Sequence, residues 1–280
     1  MLSIGLNMKA LKIILLTLGL CLAAINSPAE DRNIQAALPS VQKSQWHGGI
    51  KYDFMFEGKK ALFVTPQSPR KDRAWIFRPA FFGAFPNADI ELLKNGFFLA
   101  YLDLTHRYAS PPAMDEADKF YKFAVEKCGL SPKLVVEGLS RGGAFALCWA
   151  NRDPSKFAAV YADAPVCDFN SWPSPRREKL FQQFLSEWNM KSADSFKGNP
   201  VDNYENLAKS GVPLLLIAGD SDKTVPFNEN GKIYAQRFQR AGGNITITIK
   251  KGCDHHPHGL ANPAPTVDFI IKAFENVEQK

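Results

Sequence analysis

The chain has 280 residues, 45% of them hydrophobic, and a formal net charge of +6. That is enough apolar content for one large core, and the basic residues are scattered, with short pairs such as Lys59-Lys60 and Arg176-Arg177, so no phosphate-tracking surface is expected. Nucleic acid is therefore excluded as an expected partner, and the absence of a C-x-x-C pair excludes the common zinc and thioredoxin-like motifs.

The N-terminal segment stands apart. Lys9 and Lys12 precede an apolar run over 13–25, and Ser27-Pro28-Ala29 offers small residues for cleavage, which predicts a secretory signal peptide over 1–29. The run is shorter than the roughly 20 residues a membrane span needs, so no stable membrane insertion is expected after cleavage. Cys21 could mark a lipoprotein box, but Leu20 stands where a small residue belongs. The expected product is an exported protein, periplasmic or secreted, carrying one domain over 30–280. Loss of Lys9 and Lys12 lowers the net charge to +4.

Residues 31–44 are polar and read as extended. The stretch "IKYDFMFEGKKALFVTP" alternates, turns at Gly58 and resumes, which predicts a hairpin. Short apolar runs follow at 74–77, 97–102, 134–136, 158–161, 213–218 and 245–249, and their continuous apolarity is that of strands covered on both faces. Between and after them, 87–95, 114–127, 142–152, 228–241 and 264–278 carry helical spacing, as with Val267, Ile270, Ile271 and Phe274. Strand and helix in alternation predict an α/β fold: a mostly parallel sheet of about eight strands with helices on both faces. The segment 168–211 breaks the alternation and reads as a small helical cap or lid, its C-terminal part also being open to reading as a crossover helix. On this core Cys167 and Cys253 fall on loops at one end of the sheet and could be bridged, since export permits disulfides, while Cys148 reads as a buried helix residue.

The run "KLVVEGLSRGGAFALCWA" raises the question of chemistry. G-x-S-x-G alone arises by accident in about one chain in ten of this length. Here, however, a strand ends at Val136, Gly138–Gly142 makes the turn, and a helix begins. A serine on such a turn stands exposed above the sheet, with a helix N-terminus beside it to stabilise negative charge. A hydroxyl at neutral pH still needs a base, and the base an orienting carboxylate. "LLLIAGDSDKTVP" offers Asp220 and Asp222 beyond one strand, and "IKKGCDHHPHG" offers His255, His256 and His258 beyond the last. Ser, Asp, His, each past a strand's C-terminal end, is the order of a nucleophile elbow and its partners.

On the elbow 138–143, the pattern D-x-x-V-P at 222–226 and the histidine loop, residues 61–279 resemble the α/β-hydrolase superfamily, in a serine esterase-like, exported bacterial form. The resemblance implies Ser140 as nucleophile, Asp222 as orienting acid and His255 as general base. Asp254 replaces the glycine usual before that histidine, which keeps His258 open as the base. Asp163, past the preceding strand, stays open as the acid. The backbone N–H of Arg141 is the expected first oxyanion donor. "RPAFFGAFP" is similar to the turn of dienelactone-hydrolase-like members, which puts the second donor at Phe81, with Phe82 as the other choice. No cofactor and no metal are expected, the three histidines lacking a scaffold with metal-ligand spacing.

Arg78, Arg141 and Glu137 read as a mutual salt-bridge set holding the elbow, or alternatively as an arginine facing an acidic or hydroxylated substrate. Phe81, Phe82 and Phe85 read as core or as an acyl pocket. Trp46, Trp172 and Trp188 read as packing or as a sugar-stacking platform. "HHPHGL", "FFGAFP" and "ADAPVCDF" look like a group of exported esterase-like proteins, which implies a small-molecule or carbohydrate ester as substrate. The expected activity is hydrolysis of a carboxylic ester through an acyl-enzyme. One alternative is a prolyl-oligopeptidase-like serine peptidase, against which stands the short stretch of 30–73 before the third strand, too short for a propeller. The other is a non-catalytic binding protein retaining the fold, for which an intact Ser, Asp and His set would be unnecessary.

Overall fold

The computed structural model describes residues 31–194 and 196–278; the predicted signal segment lies outside the described residues. The described residues begin with α1 (Arg32–Ala37), capped by Asp31, whose Oδ1 accepts the Ile34 N–H at 3.0 Å. Strand β1 (Gln42–Trp46) follows, then β2 (Gly49–Phe56) and β3 (Lys59–Thr65). The β2–β3 turn is Glu57-Gly58, both left-handed at φ 45° and 81°, the conformation that matches the twist of a two-residue hairpin. Beyond lie β4 (Trp75–Arg78), α2 (Asn87–Lys94), β5 (Phe98–Leu102), α3 (Pro111–Glu126), β6 (Leu134–Leu139), α4 (Arg141–Arg152) and β7 (Phe157–Asp163). The chain finishes with α5 (Glu178–Glu187), α6 (Glu205–Ser210), β8 (Leu214–Gly219), α7 (Gly231–Arg240), β9 (Ile245–Lys250) and α8 (Ala264–Glu278).

One nine-stranded sheet runs in the order β1-β2-β3-β5-β4-β6-β7-β8-β9. The first four in that order pair antiparallel, and every pairing from β5 to β9 is parallel. This is the α/β-hydrolase architecture, with one strand more than the sequence predicts. The extra strand is β1, and its residues are nearly all exposed: an edge strand wetted on both faces has no apolar pattern to read. The helix at 32–37 escapes for a related reason, burying only Ile34.

Neighbouring residues of a central strand feed opposite layers. Val136 joins Phe120 of α3, Trp149 of α4 and Phe238 of α7 on one face; Val135 joins Leu92 of α2 and Ile270 of α8 on the other. That division explains the unbroken apolar runs. Trp149 is buried and its Nε1–H donates to Asp118 at 2.9 Å, which locks α4 to α3; burying such a side chain contributes about 1.5–3 kcal/mol. The cap segment builds its own cluster, in which Phe169, Trp172 and Phe184 pack with Tyr108 and Val225. Helix α6 packs on α4 as a crossover helix.

The four cysteines among the described residues are free thiols, so the Cys167–Cys253 bridge is not formed. Cys167 is buried among core residues that include Cys148 and Tyr234. Cys253 instead sits in the turn after β9, its carbonyl accepting the Ser221 N–H at 3.0 Å. Burial raises the thiol pKa of Cys128 and of Cys148 to about 12 and pushes that of Cys167 well above its ordinary value.

Candidate active site

The parallel strands end on a common edge, and strand order reverses between β4 and β6, where an open α/β sheet leaves its crevice. Ser140 lies in that crevice between β6 and α4 with φ 54° and ψ −120°. Strain of this kind persists only where the surroundings enforce it. Ser140 donates its N–H to the Asp163 carbonyl at 2.9 Å, and its own carbonyl accepts from Gly143 at 2.9 Å and Val166 at 3.0 Å. The flanking glycines are required by contact. A Cβ on Gly138 would collide with the Gly142 backbone, and one on Gly143 would lie 2.6 Å from the Pro165 Cβ.

Ser140 Oγ is 3.0 Å from His255 Nε2, and His255 Nδ1 is 2.6 Å from Asp222 Oδ2. The other oxygen, Oδ1, accepts the N–H groups of Thr224 and Val225, both at 2.8 Å, so the carboxylate cannot swing away from the imidazole. All three side chains are buried. With Nδ1–H donated to Asp222, Nε2 is left as the acceptor for the serine proton. Asp254 stands directly before His255, in the place of a glycine. Its Oδ1 accepts both the His255 N–H at 2.7 Å and the Lys223 N–H at 2.9 Å, tying the histidine loop to the aspartate loop. These two bonds hold the Asp254 carboxyl below its ordinary value.

His258 and Asp163, the other choices for base and acid, are joined to each other. His258 Nδ1 is 2.6 Å from Asp163 Oδ1, and Asp163 Oδ2 accepts the Gly259 N–H at 2.8 Å and the Tyr161 hydroxyl at 3.3 Å. The third histidine, His256, is exposed and stacks on Phe85 at 5.4 Å; partial burial and then the neighbouring His258 and His255 lower its pKa. One nitrogen from each of the three histidines lies within 4.8 Å of the others. Both nitrogens of His255 are committed to Ser140 and Asp222, and His258 Nδ1 to Asp163. A metal held by all three would have to break His255 from one of its partners.

Phe81 follows β4 with φ 57°, and neither its N–H nor that of Arg141, first residue of α4, is donated within the described residues. The three phenylalanines of this turn diverge instead of forming one core or pocket. Phe81 lies beside the Arg141 guanidinium, Phe82 packs on Trp46 and Tyr101, and Phe85 reaches His256 and His258. The three tryptophans likewise do not share a platform. Trp46 is on β1, whereas Trp172 and Trp188 pack within the cap cluster.

The charged set beneath the elbow is Arg78, Asp89 and Glu137, all buried, with Arg78 2.6 Å from Asp89 and 3.8 Å from Glu137. Arg141 does not belong to it, since its side chain points away to His106, Phe81 and Trp172. Burial, then the charge of Asp89, pushes the Glu137 carboxyl well above its ordinary value, with Arg78 opposing.

A model of the prolyl oligopeptidase family matches residues 101–275, from β5 into α8. Among solved structures, dipeptidyl peptidase 4 of Porphyromonas gingivalis is similar at 16% identity and a TM-score of 0.62, over 83% of this chain and 35% of that one. A Bacteroides ovatus protein named as a candidate dipeptidyl aminopeptidase IV is similar at 16% identity and a TM-score of 0.60, over 85% of this chain and 35% of that one. The chain thus spans about a third of the length of these two proteins. An S-formylglutathione hydrolase of Agrobacterium tumefaciens is similar at 13% identity and a TM-score of 0.55, over 84% of this chain and 96% of that one.

Proposed function

This chain belongs to the prolyl oligopeptidase family, and from that premise we propose that it is a serine hydrolase in which Ser140 is the nucleophile, His255 the general base and Asp222 the carboxylate that orients the base. The observation that carries this reading is the unbroken line from Ser140 Oγ through the His255 ring to Asp222, at 3.0 and 2.6 Å. As Oγ attacks the acyl carbon, His255 Nε2 takes its proton, and Asp222 stabilises the resulting imidazolium. The negative oxygen of the tetrahedral intermediate is held by the Phe81 and Arg141 N–H groups, each such donor lowering the barrier by about 2.7–4 kcal/mol. His255 then returns the proton to the leaving group, and water repeats the sequence on the acyl-enzyme.

The substrate in this reading is a carboxylic ester, with acylated carbohydrate as the candidate class. Support comes from the esterase-like character of the histidine loop and the 81–86 turn, and from the Agrobacterium hydrolase, nearly all of whose length aligns with this chain. The family match and the two peptidase-named structures favour a second reading, cleavage of a peptide bond.

Incubation with a fluorophosphonate, read by intact mass and peptide mapping, tests the nucleophile. Covalent mass gained at Ser140 and lost in Ser140→Ala is expected, and an undiminished adduct in that variant would sink the assignment. Turnover of p-nitrophenyl acetate against a prolyl p-nitroanilide separates the two substrates. Hydrolysis of the anilide alone would reverse their order.

A further inference from the structure

Arg141 adjoins Ser140 in sequence, and its half-buried guanidinium has no carboxylate partner among the described residues. It lies 5.6 Å from the ring centre of Phe81 and 5.0 Å from that of Trp172, between the turn after β4 and the cap. Its Nε is buried and donates to nothing. Its polar contact among the described residues is Nη1 to Nδ1 of exposed His106 at 3.0 Å, and an accepting nitrogen supplies no negative charge.

The contrast with its neighbours is sharp. Arg78 faces Asp89 and Glu137, and Arg107 faces Glu116 and Glu187, whereas no carboxylate of the described residues pairs with Arg141. Burial accordingly lowers the Arg141 pKa, opposed only by Tyr108. A half-buried cation with no carboxylate beside it costs stability, and a fold keeps such a violation where function uses it.

Resting on the hydrolase reading above, we propose that Arg141 binds a carboxylate of the substrate, so that the preferred substrates are acyl compounds carrying a negative charge within one arginine's reach of the scissile carbonyl. The two rings flank the guanidinium, and Nη2, which makes no hydrogen bond among the described residues, is left to meet a carboxylate oxygen with charge assistance. Arg141 is thereby a specificity-determining residue. Its backbone N–H faces the oxyanion in the proposed mechanism, and its side chain selects what arrives there.

Two matched pairs of esters test the assignment. One pair carries the charge on the acyl side, p-nitrophenyl hemiglutarate against p-nitrophenyl valerate. The other carries it on the alcohol side, 3-acetoxybenzoate against phenyl acetate. The wild-type protein is expected to favour the anionic member of at least one pair in kcat/KM by about tenfold to a hundredfold, the range a charge-assisted pair supplies. Arg141→Gln is expected to erase that ratio, mainly through KM, and Arg141→Lys to retain part of it. No anionic preference in either pair of the wild type, which needs no variant to fold, overturns the proposal, as does an undiminished ratio in folded Arg141→Gln. Labelling of Ser140 by fluorophosphonate distinguishes the failures. A labelled enzyme that turns over the neutral esters without charge preference removes the role of Arg141 alone, whereas no labelling and no turnover removes the hydrolase reading beneath it.

Discussion

His255 and His258 each place Nδ1 2.6 Å from a buried aspartate, and their rings lie 4.8 Å apart, yet only His255 turns its other nitrogen to a hydroxyl. The aspartates explain the difference. Asp222 sits in the loop beyond β8, where two backbone N–H groups aim it at the imidazole facing Ser140. Asp163 is the last residue of β7, and its backbone carbonyl holds the Ser140 N–H while its side chain grips His258 and the Gly259 N–H. In the proposed mechanism one pair moves a proton; the other ties the histidine loop to the strand that supports Ser140. Equal local chemistry thus yields unequal roles, because a ring's task is set by what its second nitrogen meets.

The largest effects are expected at His255 and Asp222, the pair proposed to act on Ser140. His255→Ala is expected to lower kcat about a millionfold and Asp222→Asn about ten-thousandfold, with little change in urea midpoint, as read by steady-state kinetics beside unfolding curves. Asp163→Ala should do the reverse. Stranding the His258 ring and the Gly259 N–H in a buried place is expected to cost about 3–5 kcal/mol in a urea titration, with a smaller loss of kcat than Asp222→Asn. Equal effects of the two aspartates on kcat would dissolve the distinction.

The exposed carboxylate of Asp254 ties the loops of His255 and Asp222 together. Asp254→Ala is expected to reduce kcat by about ten- to a hundredfold through misplacement of His255, with KM nearly unchanged.

A weaker effect lies under the elbow. Glu137 is raised above its ordinary 4.5 by burial and by Asp89, so the folded protein keeps a proton that the unfolded chain releases. Its contribution to stability is therefore present below pH 4.5 and declines as pH rises toward the raised value. Glu137→Gln should flatten that decline in urea midpoints taken between pH 4.5 and 8, leaving the slope from Asp89, which burial also raises. Smallest of all, exposed His256→Ala should change stability by no more than about 0.5 kcal/mol in the same assay.

Much of this molecule is legible in its sequence, because buried parallel strands, amphipathic helices and a glycine-flanked elbow each leave a local pattern. What escapes leaves none. Strand β1 is polar because both its faces are wet, and the helix at 32–37 buries a single side chain. The expected Cys167–Cys253 bridge fails because loops at one end of a sheet still differ in depth. Arg141 could not be told from Arg78 by spacing, since both stand within a few residues of a strand end, and only their surroundings differ.

The linear order of Ser140, Asp222 and His255, each beyond a strand, and the apolar periodicities that bring those strand ends to one edge are properties of the sequence itself. Which histidine meets Ser140, which aspartate meets each histidine, and that Arg141 pairs with no carboxylate of the described residues were decided only by tertiary structure. The physical reason is range. Periodicity and turn chemistry act over a few residues, whereas the contact between His255 and Ser140 spans 115 positions and depends on how loops from separate strands settle against one another.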